Sequence, residues 1–191
     1  MNYLAHAFLS PNDPYVMTGN LITDMLKGHL RKEVDPLFDN GINLHRHIDN
    51  FTDRHPIVSE FKHQLYSRFH KYAPVVSDIF MDYLLVKNWE KYNQINLESF
   101  ISRTYEHLNK VKHLLPEEIQ PRLESMITHN WLMAYTTIES INNVFERMKN
   151  KLSDKEMLKN GGGWLEDNFE KANEMFLSFF PDLIAKVADY K

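Results

Sequence analysis

The segment Leu44-His45-Arg46-His47-Ile48-Asp49-Asn50-Phe51-Thr52-Asp53 carries the residue types best suited to chemistry. A helix advances about 100° per residue, so residues four apart stand within about 40° of one another: His45 with Asp49, and Asp49 with Asp53. One helix face then offers an imidazole and two carboxylates, a nitrogen and oxygen donor set that suits divalent ions such as Mn, Fe, Zn or Mg. The same spacing also serves a solvated face with i,i+4 pairs. His47 points about 200° away from His45 and is not expected to share its site. A second acidic pair, Asp78 and Asp82, lies one turn apart in the otherwise apolar run Ser77-Asp78-Ile79-Phe80-Met81-Asp82-Tyr83. Like charges so placed need a positive partner, which a metal, or an Arg or Lys from a neighbouring helix, would supply. Asp24 follows Asn20 by one turn in Gly19-Asn20-Leu21-Ile22-Thr23-Asp24, an apolar stretch in which an unpaired buried carboxylate is costly. His6 occupies a similarly apolar first segment, where it reads either as a hydrogen-bonded core residue or as a ligand.

Composition narrows the chemistry further. The chain has ten His and no Cys, so thiolate zinc sites, iron–sulfur ligation, disulfides and cysteine nucleophiles are excluded. His63, His70, His107, His113 and His129 sit among polar neighbours and are explained by solvated faces, while His29 and His55 border turns. The Gly161-Gly162-Gly163 run lacks the Lys-Ser or Lys-Thr of a phosphate loop, and no G-x-S-x-G elbow occurs. A formal net charge of −4 argues against a generally basic nucleic-acid or membrane-surface binder. The opening Met1–His6 stretch has no basic flank or apolar run of a signal peptide, and no later stretch is apolar enough to span a bilayer; a cytoplasmic protein is expected.

The elements that must position these side chains read as all-α in one domain over residues 1–191, since apolar residues recur at helical spacing and Pro and Gly fall between the periodic segments. The expected helices run over about Asn2–Leu9, Tyr15–Leu30, Ile42–Thr52, Pro56–Tyr72, from Pro74 past Trp89, and from an Asn96 cap to Val111. Another helix or bent pair follows through Trp131 to Phe145. A short turn begins at Ser153-Asp154, the glycine run breaks the pattern, and Trp164–Ala188 forms a long terminal helix bent near Pro181. Trp89, Trp131, Tyr135 and Trp164 read as core packing, with Trp131 and Tyr135 also spaced to line a pocket.

Taken together, Met1-Asn2-Tyr3-Leu4-Ala5-His6, Gly19-Asn20-Leu21-Ile22-Thr23-Asp24, His45-Arg46-His47-Ile48-Asp49 with Thr52-Asp53, and Asp78 with Asp82 resemble the acyl carrier protein phosphodiesterase family. The similarity extends through Trp89 and Trp131-Leu132-Met133-Ala134-Tyr135 to Phe179-Phe180-Pro181, nearly the whole chain. It implies a helical bundle resembling a divergent HD-domain phosphohydrolase, with manganese as the divalent cofactor. The implied reaction is hydrolysis of holo-acyl carrier protein to the apo protein and 4′-phosphopantetheine. The sequence departs from the ordinary HD pattern in having no His directly followed by Asp, so the spaced His45 and Asp49 must replace that doublet. The expected metal ligands are Asp24, His45 and Asp49, then Asp78 and Asp82, then His6. Asp78 or Asp82 is expected to position a water, and Arg46 either to neutralise the phosphate, to pair with Asp53, or to act as a surface arginine.

An acidic carrier would need a basic docking surface, and the stretch Lys27–Lys71 supplies Lys27, Arg31, Lys32, Arg46, Arg54, Lys62, Arg68 and Lys71. Two other readings stand beside this one: a phosphohydrolase acting on a nucleotide or another small phosphate ester, and a non-catalytic helical interaction module. The oligomeric state is left open.

Overall fold

Capping residues write several helix starts directly. The Asn2 side chain accepts from the Tyr3 amide at the head of α1 (Tyr3–Leu9), and Asp13 accepts from the Tyr15 and Val16 amides at the head of α2 (Pro14–Ile22), where Pro14 takes the first position. The computed structural model describes residues 1–149 and 156–190, and no strand occurs among the described residues. After a short α3 (Leu30–Glu33) come α4 (Asp39–Arg54), α5 (Pro56–Phe69), α6 (Ala73–Lys87), α7 (Trp89–Tyr92) and α8 (Leu97–Val111). The chain then runs through α9 (Gln120–Thr128), α10 (Ile138–Lys149), α11 (Gly161–Asp167) and α12 (Phe169–Ala188). The expected Asn96 cap is present, its side chain accepting from the Ser99 amide at 2.8 Å.

The all-α expectation holds, with corrections at four places. The helix expected over Tyr15–Leu30 stops at Ile22, because the Thr23 hydroxyl donates to the Gly19 carbonyl at 2.8 Å and the chain tightens into a 3₁₀ turn over Thr23–Met25. Trp131–Tyr135 is likewise a 3₁₀ turn between α9 and α10. The glycine run opens α11 instead of breaking the pattern: a Cβ on Gly161 would come within 2.6 Å of the Phe145 ring, so glycine here admits a neighbour and not a turn. The last helical stretch divides at Asn168, whose side chain donates to the Trp164 carbonyl, and Pro181 lies within α12. The turn expected at Ser153-Asp154 lies outside the described residues.

Helix α6 is buried on nearly every side, including Val76, Ile79, Phe80, Met81, Leu84 and Leu85, and packs against α1, α5 and α12. Phe80 is surrounded by Phe69, Phe145 and Trp164, which gathers α5, α6, α10 and α11 about one aromatic centre. For the site, the decisive contact is the crossing of α2 and α4 at Gly19 and Gly41. A Cβ on Gly41 would overlap the Val16 carbonyl oxygen and lie 2.7 Å from the Asn20 nitrogen, so only paired glycines let the two backbones approach this closely.

Candidate metal centre

The close approach of α2 and α4 brings Asn20 against His45, which stands one turn after Gly41 on the buried face of α4. Asn20 is itself fully buried and holds two histidines at once. Its amide nitrogen donates to the His6 carbonyl at 3.0 Å and to the Ser10 hydroxyl at 2.9 Å, which fixes its Oδ1 as the acceptor for His6 Nδ1 at 2.8 Å. The Asn20 backbone carbonyl accepts from His45 Nδ1, also at 2.8 Å. Both rings therefore carry hydrogen on Nδ1 and turn Nε2 toward one point. They lie nearly parallel, with centroids 4.1 Å apart, and are only 3% and 4% exposed.

Asp49 stands where the two Nε2 atoms converge, with Oδ1 at 3.2 Å from His6 Nε2 and Oδ2 at 3.0 Å from His45 Nε2. Asp24, delivered by the turn after α2, places Oδ1 at 3.3 Å from His45 Nε2. The imidazoles form a buried floor, whereas the Asp49 and Asp24 side chains are 40% and 62% exposed and form an open rim. The His6, His45 and Asp49 donor atoms are close enough together to hold one metal ion. The fit is chemical as well as geometric: His6 Nε2 is buried and lacks a hydrogen-bond partner, because its approach to Asp49 does not have hydrogen-bond alignment. A buried lone pair aimed at carboxylates is what a divalent cation satisfies.

The protonation pattern follows from the same contacts. Burial lowers His6, keeping it neutral despite the nearby Asp49 carboxylate. Burial also opposes charge on His45, but its hydrogen bonds with Asp24 and Asp49 outweigh that and raise it to about 9. Asp49 is partly desolvated, yet His45 and His6 hold it well below the ordinary carboxylate range. The hydrogen bond with His45 lowers Asp24 in turn. Without a metal, one proton on His45 occupies the focus of the carboxylates.

Asp78 and Asp82 face a different positive partner from those weighed in the sequence. Asp82 is fully buried and accepts from the amides of Asn2, Leu4 and Ala5 at 3.1, 2.8 and 3.4 Å, binding the open end of α1. Asp78 accepts from the Met1 ammonium at 3.0 Å. The two acids thus fix the segment that carries His6, while His6, His45 and Asp49 meet at a common point and Asp24 stands beside His45 at its rim. Arg46 is exposed on α4, and Asp53 pairs with Lys62 at 2.6 Å instead of with Arg46. His47 turns to the Tyr190 ring, 4.7 Å away, as its helical phase requires.

Sequence spacing did not identify Asn20 as the residue orienting both imidazoles; the clue lay in its position beside Gly19, a signal that needs the α4 partner to be read. Trp131 and Tyr135, spaced to line a pocket, do line an adjoining groove of about 590 Å³, but its other lining residues Asp24, Tyr3, Arg122 and Arg147 were not connected to it in the sequence. Its cations lie far along the chain from the basic stretch expected to serve docking. Within that stretch, Arg31 pairs with Asp39, Lys62 with Asp53, and Arg68 donates to the Met157 and Lys159 carbonyls.

Known proteins match this chain over nearly its whole length. A protein described as acyl carrier protein phosphodiesterase from Photorhabdus laumondii subsp. laumondii is 27% identical over 97% of this chain and 94% of its own. Proteins of the same description from Yersinia enterocolitica and Salmonella dublin are 26% and 28% identical, covering 99% and 98% of this chain and 98% of each of theirs. No solved structure matches the chain. The profile of the family described as acyl carrier protein phosphodiesterase matches residues 1–183, and the chain belongs to that family.

Proposed function

We propose that this protein is a metal-dependent phosphodiester hydrolase that releases 4′-phosphopantetheine from holo-acyl carrier protein and leaves the apo carrier. The observation that carries the reading is the convergence of the His6 and His45 Nε2 atoms on Asp49, with Asp24 beside them, in a chain of this family. Those four residues would hold the cation, Mn²⁺ by family resemblance, and their nitrogen and oxygen donors suit it. Bound there, a divalent ion offsets charge on the phosphoryl oxygens and lowers the pKa of a coordinated water. Asn20 holds both rings in the tautomer that presents Nε2, and Asp49 and Asp24 remain ionised in water-accessible positions. Hydrolysis adds hydroxide to phosphorus and a proton to the carrier's departing alkoxide. A cytoplasmic site of action accords with this reading, and no described helix is long and apolar enough to cross a membrane.

The direct test is incubation with holo-acyl carrier protein and manganese, followed by mass measurement of the carrier. Loss of the complete phosphopantetheine arm is expected. Asp24→Ala and Asp49→Ala should abolish it while far-UV circular dichroism stays helical. A carrier that keeps its arm, or a faster turnover of nucleotides, would replace the proposed substrate.

A further inference from the structure

The metal-ligand cluster does not end in a flat surface. Asp24 belongs both to its rim and to the groove of about 590 Å³, a size typical of sites that enclose a small organic ligand. Two sets of side chains give that groove its character. Val75 and Ile79 from α6, with Trp131 and Tyr135 from the 3₁₀ turn, form an apolar and aromatic wall. Arg122 from α9 and Arg147 from α10 stand exposed at its edge, and Asp24 is the only acid lining it among the described residues. The Tyr3 ring packs on Trp131 at 5.9 Å between centroids, and its hydroxyl feels both the Arg122 guanidinium and the Asp24 carboxylate. Tyr3 thus links Arg122 to Asp24 where the groove meets the rim.

We infer that this groove holds the pantetheine arm of the substrate, with its phosphate end at Asp24 and Arg122 and its amide-bearing chain along the Trp131 and Tyr135 wall. This rests on the phosphodiesterase reading above and gives that reading a route for the arm. The match is one of chemistry along a length. An arm with an anionic end and a largely uncharged chain needs a cation at one end and apolar contact beyond it. A nucleotide would also offer phosphate to Arg122, but its flat base would need a stacking slot; Trp131 here packs on Tyr3 and the wall beyond is aliphatic as well as aromatic. Ser125 and His129 add hydrogen-bonding groups along the same surface for amides.

Two substitutions test the assignment in the manganese-loaded protein. Ala134 lines the groove and is half-buried, so Ala134→Trp obstructs the channel, and Arg122→Ala removes an exposed cation with little risk to folding. Calorimetry with free 4′-phosphopantetheine should show binding to the unsubstituted protein and roughly tenfold or greater weakening in each variant. KM for holo-carrier protein should rise by a similar factor, while metal content and far-UV circular dichroism stay unchanged. If Ala134→Trp loses helical structure, Arg122→Ala alone decides. Equal affinity for 4′-phosphopantetheine in both proteins, no binding by the unsubstituted protein, or tighter binding of adenosine monophosphate would overturn the groove assignment. Failure of the unsubstituted protein to release the arm from holo-carrier protein would instead overturn the phosphodiesterase reading, so the two failures are separable.

Discussion

Asn20 would touch neither phosphate nor water, yet it determines what both imidazoles can do. Its side-chain oxygen and backbone carbonyl each occupy one Nδ1, leaving both Nε2 lone pairs for an ion. Asn20→Ala removes the His6 anchor while retaining the carbonyl that holds His45. Manganese affinity should fall about 10- to 100-fold, as removal of an orienting partner usually does, and calorimetric titration would measure it. Unchanged affinity would show that packing alone orients His6. His45 adds a pH dependence of definite sign. Because its pKa rises to about 9 when no metal is bound, the protonated ring competes with the ion at neutral pH. Affinity should increase with pH up to about 9 and then level off, with roughly one proton released per ion bound at pH 7, detectable as acidification in weak buffer. The same shift makes the His45 ion pairs stabilise the metal-free fold fully below about pH 6.5, with that contribution lost as pH rises through about 9.

At the scale of elements, the site exists because α2 and α4 cross at two glycines and because α1 is tied down by α6. The first device supports a prediction. Gly41→Ala places a methyl group against the Val16 carbonyl and the Asn20 nitrogen, both backbone atoms that cannot swing aside. Such overpacking costs about 1–3 kcal/mol, so thermal unfolding should fall by several degrees, and metal affinity should fall with it because Asn20 is displaced from His45. A variant with unaltered melting and metal binding would refute the close crossing. These elements also separate what could be read in advance from what could not. Helices capped by Asn96 or opened by Pro56 and Pro74 were legible because their signals are local. The Gly161 run was misread because glycine speaks equally for a turn and for a crowded neighbour, and the neighbour, Phe145, is brought in only by tertiary packing. His45, Asp49 and Asp24 could be singled out from spacing and polarity. The roles of Asp78 and Asp82 could not, since their partners are the Met1 ammonium and amides of α1 nearly 80 residues away.

Across the whole molecule, the cluster's four side chains come from α1, the turn after α2, and α4, segments that are otherwise joined by the packing of α1 on α2 and α6 and by the α2–α4 crossing. An ion held among them would act as a cross-link of the folded state, because the unfolded chain does not assemble His6, Asp24, His45 and Asp49 at one point. Binding linkage then sets the size of the effect: an ion at 100 times its dissociation constant stabilises by about 2.7 kcal/mol. For a chain of this length each kcal/mol moves the midpoint by about 2–4 °C, so manganese should raise the melting temperature by roughly 5–11 °C and chelator should reverse the gain. Asp49→Ala should abolish most of the increment, since Asp49 faces both imidazoles, whereas Asp53→Ala should retain it because Asp53 pairs with Lys62 outside the cluster. The pair of variants separates an ion bound at the convergent site from nonspecific association with the acidic surface. An equal rise in both variants would place the ion elsewhere and leave the stacked imidazoles as a purely structural device.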